Sequence, residues 1–160
     1  MTSMSLPAPA QPGPVHPGPS SVELSADLVQ AIVDHARADY PNEACGVIVG
    51  DRDPALGGSA RRFVPMRNIM ASPLRYQIDP LELLRLDDEL EAGGEAYWAI
   101  VHSHVRSAAY PSPTDVRQAA IYTQPLYVLV SLEADEPALG AFRIVDGTIF
   151  PVELLVGAGA

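Results

Sequence analysis

Lysine is absent from this chain of 160 residues, and cysteine occurs once. All ten basic side chains are arginines, set against 20 acids, for a formal net charge of −10. Affinity for nucleic acid draws largely on Lys and Arg contacts to phosphate, so charge argues against DNA or RNA as a partner. The lone Cys45 excludes an internal disulfide and any zinc site built from several cysteines. A metal bound here must take nitrogen and oxygen ligands. No apolar run approaches the ~20 residues needed to span a bilayer, so no membrane partner is expected. The first residues, MTSMSLPAPAQPGPVHPGPSS, have neither a basic start nor an apolar core. They do not read as a secretory signal, and a cytoplasmic location is expected. The absence of lysine fits a genome rich in Ala, Gly and Pro codons.

What the chain does have is apolar residues in nearly half its positions, enough for one sizeable core. Residues 1–21 hold six prolines and almost no aliphatic anchors, which predicts a disordered tail ahead of a single domain over 22–160. That domain is expected to begin with a helix capped by Ser25, whose apolar stripe is Leu28, Val29, Ile32, Val33 and Ala36. The helix should end before Pro41. Cys45–Val49, Arg61–Met66, Leu74–Ile78, Tyr97–Val101 and Leu126–Leu132 read as strands. Ala141–Val145 and Thr148–Val152 read as a hairpin around Asp146-Gly147. A second helix starts at Asp79-Pro80, with Glu82 completing a capping box. Its expected apolar face is Leu81, Leu84 and Leu90, and Gly93-Gly94 ends it. A third opens at Ser112-Pro113-Thr114-Asp115. The fold class is α/β of the α+β type, a mixed and mostly antiparallel sheet flanked by helices.

The chemistry gathers where the Tyr97–Val101 strand runs into His102-Ser103-His104. Residues two apart on a strand face the same way, so both imidazoles can reach one ion while Ser103 points elsewhere. An isolated pair of this kind can equally be satisfied by water or backbone. Ser112-x-x-Asp115 taken alone is a helix capping box. Its position, with seven residues between it and His104, changes that reading, because a short loop can bring the helix start back beside the histidines. Asp115 then becomes a third ligand. Two imidazoles, one carboxylate and an open fourth position suit a catalytic zinc, whereas a structural zinc is normally closed by four protein ligands. His35 sits mid-helix, where a surface or core histidine is expected, and His16 lies in the tail. Glu43, at the entry to an apolar strand, is by itself an ordinary solvated strand edge.

Together, Glu43, His102-x-His104 and Ser112-x-x-Asp115 resemble the signature of the JAMM (MPN+) metallopeptidases. Pro41-Asn42-Glu43-Ala44-Cys45-Gly46, Arg62-Phe63-Val64-Pro65-Met66 and Tyr110-Pro111-Ser112 are similar to the bacterial branch that includes the CysO-cysteine peptidases. The resemblance covers roughly residues 22–155. It implies a JAB/MPN (cytidine-deaminase-like) fold and one Zn²⁺ on His102, His104 and Asp115. It also implies Glu43 as general base and Ser112 as donor to the oxyanion. The implied substrate is the bond after the Gly-Gly terminus of a ubiquitin-like sulfur carrier, with cysteine released. Many members carry proline after the second histidine; Val105 stands here, which bears on the loop's path more than on the metal. Two other readings stay open: an isopeptidase acting on ubiquitin-like protein–lysine conjugates, and a metal-free MPN scaffold. A cysteine hydrolase using Cys45 with His102 is a third, disfavoured by the apolar strand around the thiol. A zinc deaminase needs paired cysteines and is excluded. The oligomeric state is not set, and a homodimer is compatible with the sequence.

Overall fold

The computed structural model describes residues 18–158. Most of the proline-rich stretch, residues 1–17, lies outside the described residues. The first element is a strand rather than the expected helix: β1 (Ser21–Ser25) precedes α1 (Ala26–Asp39). There follow β2 (Cys45–Gly50), β3 (Ala60–Met66), α2 (Pro80–Gly93) and β4 (Ala96–His104). The chain continues through α3 (Pro113–Gln118), β5 (Leu126–Ser131), β6 (Ala138–Val145) and β7 (Thr148–Gly157). No helix among the described residues is long and apolar enough to cross a membrane.

The seven strands form one sheet in the order β1-β7-β6-β5-β4-β2-β3. Pairing is parallel for β1–β7 and β4–β5 and antiparallel elsewhere, the mixed and mostly antiparallel sheet expected. Every residue of β2 and β5 is buried, as near-continuous apolar runs in central strands require. Alternation along the strands divides the core in two. On one face Ile48, Ala99, Val101, Val128 and Val130 pack beneath α1 through Leu28, Ile32, Val33 and Ala36, the stripe read from the sequence. On the other, Cys45, Val47, Ile100, Tyr127 and Leu129 meet α2 through Leu86 and Leu90.

Local chemistry explains the element ends. The Ser25 hydroxyl accepts from the Leu28 N–H, capping α1. Asp146 and Gly147 both take positive φ, the geometry of a tight two-residue hairpin between β6 and β7. Gly94 closes α2 in the left-handed region.

Two expectations about the middle of the chain are corrected. Leu74–Ile78 is not a strand; it makes one isolated bridge, Asn68 to Ile78. The Asn68 side chain takes the place of a neighbouring strand, donating to the Arg75 carbonyl and accepting from the Gln77 N–H. Tyr76 and Ile78 are still buried, whereas Leu74 is exposed. On α2, Leu81 and Leu84 face outward. Leu90 is buried as expected, and it shares its helical face with the buried Leu86 and the partly buried Leu83. Glu82 completes no capping box, because its carboxylate accepts from the Arg67 N–H at 2.7 Å.

Candidate active site

His102 continues the parity of Ile100, so it projects from the α2 face of the sheet, and His104 follows it two residues on. β4 pairs in parallel with β5, and a parallel connection needs a crossover. The crossover contains α3, whose first turn returns to the carboxyl end of β4. Asp115 is thereby carried to the histidines. His102 Nε2 lies 3.2 Å from Asp115 Oδ2, His104 Nε2 lies 3.1 Å from the same oxygen, and the two nitrogens are 3.2 Å apart. All three residues are buried.

These edges fit a metal. Tetrahedral coordination with bonds of about 2.0–2.1 Å sets ligand atoms about 3.3 Å apart. The tautomer of His104 fits too. Its Nδ1 lies 2.8 Å from the Ala108 carbonyl oxygen, an acceptor, so Nδ1 carries the proton and Nε2 turns a lone pair inward. In the neutral ring that lone pair and the Asp115 oxygen suit a metal ion between them, whereas in the metal-free imidazolium the same nitrogen donates to Asp115. His102 is fixed differently: Tyr76 stacks on its ring with centroids 4.3 Å apart and planes 20° apart, while Nδ1 is buried with no hydrogen-bond partner among the described residues. The His102–His104–Asp115 group can hold a metal ion.

Electrostatics separates the acids. Burial would raise the Asp115 pKa, but hydrogen bonds with His102 and His104 and the Ser112 N–H outweigh it and hold the group far below the carboxylate range. Burial of the His102 ring lowers its proton affinity. At His104 burial acts in the same direction, but the bonds to Asp115 and the Ala108 carbonyl prevail, and the net shift is upward. Glu43 is 5% exposed, and burial raises its carboxyl from 4.5 to about 7; His104 opposes the shift and Asp115 adds to it. It is a buried acid that exchanges its proton near neutrality.

The sequence missed what holds Glu43. Its N–H donates to the Ser72 carbonyl at 2.9 Å, and its own carbonyl accepts from Asn68 Nδ2 at 2.9 Å. The next residue, Ala44, donates to Ser103 Oγ at 2.7 Å and accepts from the Ser103 N–H at 2.9 Å. Ser103, between the histidines, therefore faces away from the metal group and ties the Glu43 segment to β4. The signal for this was the alternation itself, which sends a small polar residue to the buried face under α1. Ser112 caps α3, its oxygen accepting from the Asp115 N–H at 3.2 Å while the Ser112 N–H donates to Asp115 Oδ2 at 2.8 Å. The capping bonds of Asp115 are thus compatible, in the same conformation, with its belonging to a group that can hold a metal ion.

Two other residues weighed on sequence fall outside this group. His35 bonds the Cys45 carbonyl through Nε2 at 2.9 Å, the role of a core histidine. Cys45 is the cross-strand neighbour of His102, but burial pushes its thiol up to about 12, which leaves almost no thiolate for nucleophilic attack. An apolar groove of about 440 Å³ lies on the same side of the sheet, and none of His102, His104, Asp115 or Glu43 lines it. Its lining includes Met70, Tyr76, Leu83, Thr114, Ile121 and Tyr122, of which Tyr76 stacks on His102 and Thr114 precedes Asp115.

Comparison with known proteins agrees with the geometry. The CysO-cysteine peptidase of Mycobacterium tuberculosis is 43% identical over 129 residues, covering 79% of this chain and 84% of that protein. The desampylase of Haloferax volcanii is 34% identical over 117 residues, or 70% of this chain and 81% of the relative. Among solved structures, a protein from Desulfitobacterium hafniense aligns with a TM-score of 0.75 at 28% identity, covering 86% of this chain and 93% of that one. The profile describing prokaryotic homologs of the JAB domain matches residues 25–145, which runs from the cap of α1 to the end of β6 and includes Glu43 and the whole His102–Asp115 group; the chain belongs to that family.

Proposed function

We propose that this chain is a zinc peptidase that hydrolyses the bond following the Gly-Gly terminus of a ubiquitin-like sulfur carrier and releases cysteine. The observation that carries the reading is the convergence of His102 Nε2, His104 Nε2 and Asp115 Oδ2, each 3.1–3.2 Å from the others, on the face that also holds the buried Glu43. Identity of 43% to a CysO-cysteine peptidase supports the choice of substrate.

His102, His104 and Asp115 hold the ion in this reading. Zinc bound there supplies Lewis acidity, which makes water nucleophilic near neutral pH. Glu43 takes the proton from the attacking water and returns it to the nitrogen of the leaving amine. Burial raises this carboxyl in the metal-free site, the direction that suits a group which must both take a proton and return it. Ser112 donates its hydroxyl hydrogen to the oxyanion that develops on the scissile carbonyl. The oxygen of Ser112 already accepts from the Asp115 N–H, which orients the hydroxyl without using its proton. The carrier's extended terminus lies in the apolar groove beside Tyr76 and Thr114, and glycines at its end let backbone pass close to the ion.

Incubating the zinc-loaded chain with a Gly-Gly-ended sulfur carrier bearing a C-terminal cysteine tests this by mass spectrometry. The expected products are free cysteine and the carrier ending in Gly-Gly. An intact adduct after prolonged incubation refutes the reading. The similarity to a desampylase favours one second reading, cleavage of carrier–lysine conjugates. A parallel incubation with such a conjugate separates the two by rate.

A further inference from the structure

His104 is set by a carbonyl on an irregular loop, so something must set that loop. Residues 105–111 connect β4 to α3 without helix or strand. Ala108 O receives the His104 Nδ1 proton at 2.8 Å and also accepts from the Tyr110 N–H at 2.8 Å. The neighbouring carbonyls are held from the next two strands. Ser131 is the register partner of His104 across β4–β5 and is 2% exposed. Its hydroxyl donates to the Ser107 carbonyl at 2.6 Å. Gly140 on β6 lies against the Ala109 carbonyl so closely that a Cβ there would stand 2.7 Å from that oxygen. Tyr110 packs edge-on against Phe142, with ring centroids 5.4 Å apart. The carbonyls of residues 107, 108 and 109 therefore meet a hydroxyl, a ring nitrogen and a glycine in succession.

We propose that Ser131 and Gly140 are positioning residues for the metal site: they hold the Ala108 carbonyl against His104 and so set its tautomer and the affinity for zinc. Neither touches the ion or the substrate. His102 differs, because its Nδ1 has no hydrogen-bond partner among the described residues. Of the two imidazoles, His104 is the one whose Nδ1 is held by an acceptor, and the brace on that acceptor acts where preorganisation is decided. Losing an outer partner of a metal-bound histidine lowers affinity about 10–100-fold, and a comparable loss is expected here.

The inference rests on His104 being a zinc ligand, and the test keeps the two apart. Zinc affinity is measured by chelator competition on the full chain, for the unaltered protein, Ser131→Ala, Gly140→Ala and Ile32→Val. Ile32, on the buried side of α1, packs against the opposite face of the sheet and serves as a destabilised control. Histidine ¹⁵N shifts of the metal-free protein report the His104 tautomer. The expected result is zinc bound at least tenfold more weakly by Ser131→Ala and Gly140→Ala, with mixed tautomers at His104 and unchanged affinity in Ile32→Val. Affinity within twofold of the unaltered chain in Ser131→Ala, with the Nδ1–H tautomer retained, overturns the positioning role. If Gly140→Ala does not fold, Ser131→Ala decides alone, since it removes one oxygen and no volume is added. An unaltered chain that binds no zinc refutes the metal reading itself.

Discussion

Ile48, Ala99, Val101 and Val128 face α1 and are almost wholly sealed; one residue along the same strands, Val47, Ile100 and His102 face the other way into a layer left partly open. α1 lays four buried residues along its face. α2 contributes two, and between it and α3 the apolar groove remains. Both faces have a hydrophobic floor of similar residues. The difference lies in what covers it. A fully covered face contributes to stability alone, whereas a half-covered one carries the His102–His104–Asp115 cluster and the Glu43 acid at the end of a rigid floor. Side chains placed there inherit the rigidity of β2, β4 and β5.

This contrast can be broken most severely at the ligands. Asp115→Ala or His102→Ala is expected to lose bound zinc, by elemental analysis, and to lower hydrolysis by at least about 10³-fold, since a catalytic metal contributes several kcal/mol. Glu43→Gln sharpens the comparison within the open face: zinc should be retained while the rate falls about 10²–10⁴-fold. Hydrolysis at the unaltered rate in that variant rules out Glu43 as the base.

The covered face should answer in stability only. Ile32→Ala removes a side chain that is 1% exposed and is expected to cost about 2–5 kcal/mol in urea unfolding, with zinc affinity unchanged in the folded protein. A comparable effect of opposite sign is expected from Glu43 in chelator-treated protein. Its native carboxyl titrates at about 7 against 4.5 for the unperturbed group, so the fold holds that proton more tightly than the unfolded chain. The resulting stability is fully present below about 4.5 and is lost as pH rises through about 7. At pH 8 Glu43→Gln should therefore be more stable than the metal-free parent by roughly 3 kcal/mol, and the two should converge at acid pH. The smallest effect is expected where the faces connect. Ser103→Ala strips the acceptor from the buried Ala44 N–H, costing about 1–3 kcal/mol, and should slow hydrolysis several-fold with zinc still bound.

Much of this was legible in the chain because it is local or periodic. The α1 stripe, the Asp146-Gly147 turn and the Ser112–Asp115 cap each follow from spacing and residue type, and the structure repeats them. The strand parity of His102 and His104 put both rings on one side before any coordinates. What escaped was decided at a distance. β1 is five residues long and finds its parallel partner only at β7, some 130 positions on, so nothing nearby announces it. Leu74, Tyr76 and Ile78 alternate as a strand would, but Asn68 saturates the backbone around them and replaces a ladder. Glu82 has the right spacing for a capping box, yet the Arg67 N–H takes its carboxylate. On α2, five leucines offered more than one apolar stripe, and tertiary packing selected the one through Leu83, Leu86 and Leu90. The support of Glu43 by Ser72, Asn68 and Ser103 is long-range in the same sense.

One oxygen, Asp115 Oδ2, meets the Ser112 N–H and both imidazoles at once. The atom that starts a helix is also the atom that completes the cluster. A lineage relaxing its hold on the reaction cannot discard this carboxylate quietly, because half of the capping box at the start of α3 goes with it. Asparagine, which keeps an oxygen for the turn and gives up the charge, is the mildest step by which the reaction could be lost while the fold survives.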